Sequence, residues 1–251
     1  MIHAFLLVGK SNMAGRGFPH EVEPIQNKDI FVLRNGRWWP MYVPVNPDRV
    51  TAGINLAESF ADRYAKEHGV QVGLIPCADG GTSLDQWKPG GVLFDHAVAM
   101  AQLADRSAHI VGVLWHQGES ECSDERYPLV KDKLKNLIGA FRQTPCLEKL
   151  PFLVGGLGDY LQYFERAGKI KDNYWQVNNA MAEMVAETEN CAFVSAKGLG
   201  ANPDNLHFSA AALREFGLRY YEAFLTLEDK ERVFEEKPAW EFAVRGELEA
   251  L

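Results

Sequence analysis

Short, unbroken apolar runs alternate along this chain with stretches of helical spacing. The runs are Ala4 to Val8, Val70 to Ile75, Ile110 to Trp115, Phe152 to Leu157 and Ala192 to Ser195. A strand with one wet face would alternate apolar and polar residues; these read instead as strands covered on both faces. Between them, Ile54, Ala57, Ala61 and Tyr64 share one helical face, and Leu134, Leu137, Ile138 and Phe141 share another. A third stripe, Leu213, Phe216, Gly217, Tyr220 and Phe224, follows Ser209, which is placed to cap that helix. Strands alternating with helices predict a mainly parallel, five-stranded sheet with helices on both faces, in one α/β domain over residues 1–227. A side hairpin is expected at Phe31 to Trp39, turning at Asn35-Gly36.

The distinctive polar residues stand just after the runs: Ser11 after the first, Asp79 to Ser83 after the second, His116 to Glu119 after the third. In an open parallel sheet the carboxyl ends of the strands share one edge, where ligand crevices form. Segments far apart in sequence would therefore converge.

Composition narrows the partners. A formal charge of −8, with no run of Lys and Arg, argues against a nucleic-acid binder, which needs a basic face for phosphates. Residues 228–251 carry eight acidic and four basic side chains and read as a solvated, acidic C-terminal extension, with Pro238 and Trp240 inside it. Cys77, Cys122, Cys146 and Cys191 are scattered, without zinc-ligand spacing, and read as free thiols. The start, Met1 to Val8, lacks the basic residues and cleavage site of a secretory signal, and no stretch approaches the roughly 18 apolar residues that span a bilayer. A cytoplasmic protein with no membrane partner is expected, although a trimmed secreted form would read the same; oligomeric state is not legible.

Gly9-Lys10-Ser11-Asn12-Met13-Ala14-Gly15 follows the first run directly. A serine on a tight strand-to-helix turn can expose its hydroxyl while its own N–H points into the crevice. Taken alone, the segment is equally a Gly-rich turn with a capping serine. A phosphate-binding loop is excluded, because Ala4 stands where its first glycine belongs. In Asp204-Asn205-Leu206-His207, the histidine could take the serine's proton and the aspartate could orient the imidazole. Such a pair alone is common by chance. Acyl transfer also needs donors for an oxyanion: the N–H groups of Ser11 and of Gly80 or Gly81, and the amide of Gln117, are suited to it. Glu119 reads as a brace for loop backbone. His116 and Glu119 lack a third ligand at helical spacing, so no metal is expected. Trp38, Trp39 and Trp87 could stack on a sugar or pack in the core.

Four segments together resemble the SGNH hydrolases, in the branch of sialate O-acetylesterases and the acetylxylan esterases of carbohydrate esterase family 6. They are Gly-Lys-Ser-Asn-Met-Ala-Gly at 9–15, Gly-Gly-Thr-Ser-Leu at 80–84, Trp-His-Gln-Gly-Glu-Ser at 115–120 and Asp-Asn-Leu-His-Phe-Ser at 204–209. The resemblance implies a flavodoxin-like, three-layer α/β/α fold without a cofactor, acting on acetyl esters of carbohydrates such as sialic acid or xylan. It implies Ser11 as nucleophile, His207 as base, Asp204 as orienting acid, and Gly81 or its neighbour with Gln117 in the oxyanion hole. Asn12 falls in the first block as a loop-bracing or substrate-binding residue, with Glu119. The family usually has Gln where this chain has Lys10, which either alters the electrostatics near Ser11 or points into solvent. A lipid or thioester hydrolase on the same scaffold, and a sugar-binding relative without activity, are the alternatives.

Overall fold

Strand β1 (Ile2–Gly9) is buried along its whole length, as only the middle of a covered sheet allows. The computed structural model describes residues 1–166, 169–235 and 237. After β1 come the short helix α1 (Ser11–Ala14), the hairpin strands β2 (Ile30–Arg34) and β3 (Arg37–Pro40), α2 (Leu56–His68), β4 (Gln71–Pro76), α3 (Val92–Asp105) and β5 (His109–His116). The second half holds α4 (Val130–Phe141), β6 (Phe152–Gly155), a two-stranded ribbon of β7 (Glu165–Arg166) and β8 (Lys169–Ile170), α5 (Tyr174–Ala186), β9 (Cys191–Val194) and α6 (Ala210–Leu225).

The main sheet has the order β3-β2-β4-β1-β5-β6-β9. All pairs are parallel except β2 with β3. It therefore has seven strands rather than the five expected. The hairpin is no side feature: Ile30, Phe31 and Val32 pair with Val72, Gly73 and Leu74 of β4, and the fully buried Ile30 and Val32 join the core. The five strands read from the sequence keep the flavodoxin-like order, with β1 between β4 and β5.

The layers are held by aromatic contacts. Phe5 of β1 meets Phe60, Tyr64 and Phe224 edge-on at centroid distances of 4.7, 4.9 and 5.5 Å, under α2 and α6. Phe94 of α3 and Phe141 of α4 meet at 4.7 Å, and Phe141 reaches Phe152 of β6. The Ser209 side chain accepts from the Ala212 N–H at 3.2 Å, and Asn55 with Glu58 forms a capping box on α2. Trp38 and Trp87 are enclosed, their indole N–H groups given to Ser107 and Thr82, so neither is a sugar platform; Trp39 lies half-buried on the edge strand β3.

The stretch from Glu228 does not begin in solvent. Glu228 bonds the His68 ring at 2.7 Å, Phe234 packs on His3 and His109 at 4.4 and 5.0 Å, and Lys237 pairs with Asp105 at 2.7 Å. Pro238, Trp240 and the rest of the proposed extension lie outside the described residues.

Candidate active site

The chain passes from β4 on one side of β1 to β5 on the other, so the crevice opens at the carboxyl ends of β1 and β5. Gly9 makes the exit possible. Its φ of +129° suits glycine, and a Cβ there would lie 2.1 Å from the His116 carbonyl oxygen. Lys10 N–H then donates to that carbonyl at 2.8 Å, and Ser11 opens α1. As the first helical residue, Ser11 has no intrahelical acceptor for its own N–H.

The loop between β9 and α6 brings His207 to Ser11. Asn205 adopts φ +48°, and the Asp204 carboxylate accepts the N–H groups of Leu206 and His207 at 2.9 and 3.0 Å. The other carboxylate oxygen stands 2.6 Å from His207 Nδ1, and His207 Nε2 stands 3.0 Å from Ser11 Oγ. Burial would raise the Asp204 carboxyl, but the hydrogen bonds from the His207 ring and the two N–H groups outweigh it and hold it at about 2. An ionised carboxylate only accepts, so Nδ1 carries the ring proton and Nε2 is left to receive the serine's.

Asn12 grips the chain on both sides of His207. Its Oδ1 accepts the Phe208 N–H at 3.1 Å, and its Nδ2 donates to the Leu206 carbonyl at 3.3 Å and to Glu119 at 2.5 Å. Glu119 is enclosed beneath it, its own carbonyl accepting from Lys171. Both side chains are thus occupied in bracing loops. Lys10 does not point into solvent: it is 6% exposed, donates to Ser120 Oγ at 2.9 Å and lies 3.9 Å from Glu119 Oε2.

A family model described as carbohydrate esterase, sialic acid-specific acetylesterase matches residues 1–226. The chain belongs to that carbohydrate esterase family. A probable carbohydrate esterase from Arabidopsis thaliana is 28% identical, over 88% of this chain and 90% of its own length. An X-ray structure of a protein from Arabidopsis thaliana superposes with a TM-score of 0.78 at 27% identity, covering 89% of this chain and 98% of that one. The crystal structure of a carbohydrate acetylesterase from Xanthomonas citri gives 0.69 at 16% identity, over 90% of this chain and 56% of that one, a likeness of fold alone. The family that the four motifs resemble is the family found.

In this member of the carbohydrate esterase family one of the two glycine N–H groups expected as donors is already taken. The Gly80 N–H is already donated to Asp48 Oδ2 at 2.8 Å, so it is no oxyanion donor. Gly81, at φ +82° with nothing within 4 Å of where a Cβ would stand, is the glycine that remains. Gln117 is enclosed and gives one amide proton to Glu121 at 2.9 Å. A carboxamide has a second. Glu121 also accepts the Leu84 N–H at 2.9 Å, tying the two loops together.

Several supporting residues carry no local sequence signal. Arg16 and Asp48 form a buried two-bond pair, Asn46 exchanges two 3.0 Å bonds with the Ala78 backbone, and Arg49 reaches Asp79 and the Gly80 carbonyl. Together they fix the loop after β4. Tyr160, after β6, packs edge-on against Phe208 at 5.1 Å, beside His207. Among the described residues no three His, Cys, Asp or Glu side chains are grouped to hold a metal, and no helix is long and apolar enough to cross a membrane.

Proposed function

We propose that this chain hydrolyses acetyl esters on carbohydrates through an acyl-enzyme at Ser11. The reading is carried by one observation, the unbroken hydrogen-bonded series Asp204–His207–Ser11 at 2.6 and 3.0 Å. The Ser11 hydroxyl attacks the acetyl carbonyl as its proton passes to His207 Nε2, and Asp204 stabilises the imidazolium. The oxyanion is held by the Ser11 N–H, the Gly81 N–H and the second amide proton of Gln117, donors typically worth about 10²–10³ each in rate. Collapse breaks the bond to the sugar oxygen, which takes the proton from His207. Water, deprotonated by His207, then releases acetate from Ser11.

Family membership supports an acetylated carbohydrate as substrate. The test is turnover of a chromogenic acetate ester by the wild type, Ser11→Ala and His207→Ala, followed by acetate release from acetylated xylo-oligosaccharides and O-acetylated sialic acids. Loss of activity in both variants is expected; wild-type turnover by Ser11→Ala would end the reading. A series of longer acyl esters separates it from a lipid or thioester hydrolase, which would prefer the longer chains.

A further inference from the structure

Lys10 stands where three loops meet. Its Nζ donates to Ser120 Oγ, and that hydroxyl donates to the Thr82 carbonyl at 3.0 Å, in the loop after β4. The same Nζ is 3.9 Å from Glu119, whose other carboxylate oxygen accepts from Asn12 at 2.5 Å. Asn12 in turn holds Leu206 and Phe208, the neighbours of His207. Each member of this series constrains how the next can point.

A carboxamide can turn end for end; the Leu206 carbonyl and the Phe208 N–H favour one of its two orientations, and the Glu119 carboxylate reinforces it. A carboxylate offers no proton, so it must face Nδ2 of Asn12, which leaves Oδ1 for the Phe208 N–H. A protonated Glu119 could donate instead and would accept the reversed amide, with Oδ1 lost to Phe208. Burial on its own would raise the Glu119 carboxyl into that state. The Lys10 charge, the His116 ring whose Nδ1 lies 3.8 Å from Glu119, and hydrogen bonds from the backbone and Asn12 together outweigh burial and hold it at about 2.

We infer that Lys10 is a positioning residue for His207, acting through Glu119 and Asn12 to fix the loop that carries the base against Ser11. The inference rests on the serine-esterase reading above. The buried ammonium supplies Glu119 with a fixed counter-charge that a neutral side chain does not.

The test is a double-mutant cycle on acetate-ester turnover, with the wild type and Ser11→Ala run alongside. Since the inference has Lys10 act on the base and not on the sugar, Lys10→Met and Glu119→Gln are each expected to lower kcat about tenfold with KM changed less than about twofold. Since one acts through the other, the double variant should lose no more than either single, a non-additivity that independent sites do not show. Lys10→Arg should restore kcat. Lys10→Gln, which keeps a hydrogen-bonding group, serves if Lys10→Met does not fold; its smaller loss, about threefold, should likewise vanish on the Glu119→Gln background. Wild-type kcat in the neutral Lys10 variants, or fully additive losses, would overturn the inference while Ser11-dependent turnover still stood. Loss of Ser11 dependence in the wild type would instead overturn the serine-esterase reading.

Discussion

Arg16 and Asp48 face each other through two hydrogen bonds of 3.0 and 2.7 Å, both side chains almost wholly out of solvent. The pair joins the segment after α1 to the loop that presents Gly80, because Asp48 also accepts the Gly80 N–H. Asp48→Ala leaves a buried guanidinium without its counter-charge, and breaking such a pair typically costs about 3–5 kcal/mol. Chemical denaturation should register a loss of that size. Esterase turnover should fall with it, since the loop after β4 loses its anchor. A variant as stable as the wild type would show that the pair is not the tie described.

The two glycines of that loop should respond differently to alanine. At Gly80 a Cβ would lie 2.5 Å from Arg16 Nη2 and 2.8 Å from Asp48 Oδ2, so the buried pair must move. Overpacking of this kind typically costs about 1–3 kcal/mol. At Gly81 nothing stands within 4 Å, and only the positive φ opposes a side chain, at about 1–2 kcal/mol. Thermal melting and kcat of Gly80→Ala and Gly81→Ala check this. Gly80→Ala should be the less stable and should disturb the Arg16–Asp48 pair; equal melting temperatures would count against the packing assigned to Gly80.

His3 gives a pH dependence of known sign. Burial first, and then the charges of His109, His68, the N-terminus and Arg232, bring its imidazole down from 6.5 to about 4. The folded state therefore resists protonation that the unfolded chain accepts. Its contribution to stability is complete above pH 6.5 and is lost as pH falls toward about 4, because the unfolded state binds more protons in that window. Denaturation midpoints for wild type and His3→Asn across the window should show the steeper decline in the wild type. Parallel slopes would remove His3 from the pH response.

The sheet and part of the cluster at its edge were legible for the same physical reason. Strands covered on both faces must be apolar throughout, and the polar residues that interrupt them fall at their ends, so Ser11 and Gln117 stand out from their surroundings; His207, in the loop between β9 and α6, was legible only from its spacing to Asp204. The hairpin was legible from Asn35-Gly36, whose φ values of +50° and +75° are the turn's own requirement. Its place in the sheet was not, because three pairs between β2 and β4 leave no mark in either local sequence. Helices α3 and α5 were not read from the sequence, although Tyr174, Val177, Met181 and Met184 of α5 stand at helical spacing against the core. Asp48, Arg16 and Asn46 were invisible as site residues, since each takes its meaning from a partner about 30 residues away. For Gly80 the motif was right about the loop and silent about which N–H Asp48 takes.

The most direct measurement is mass spectrometry of the enzyme quenched during turnover of an acetyl ester. If Ser11 is the nucleophile, an acetyl group should appear on the peptide that contains it, and Ser11→Ala should show neither the adduct nor turnover. Full turnover by Ser11→Ala with no acetyl on that peptide would contradict the whole arrangement of Ser11, His207 and Asp204 as a nucleophile, its base and its orienting acid.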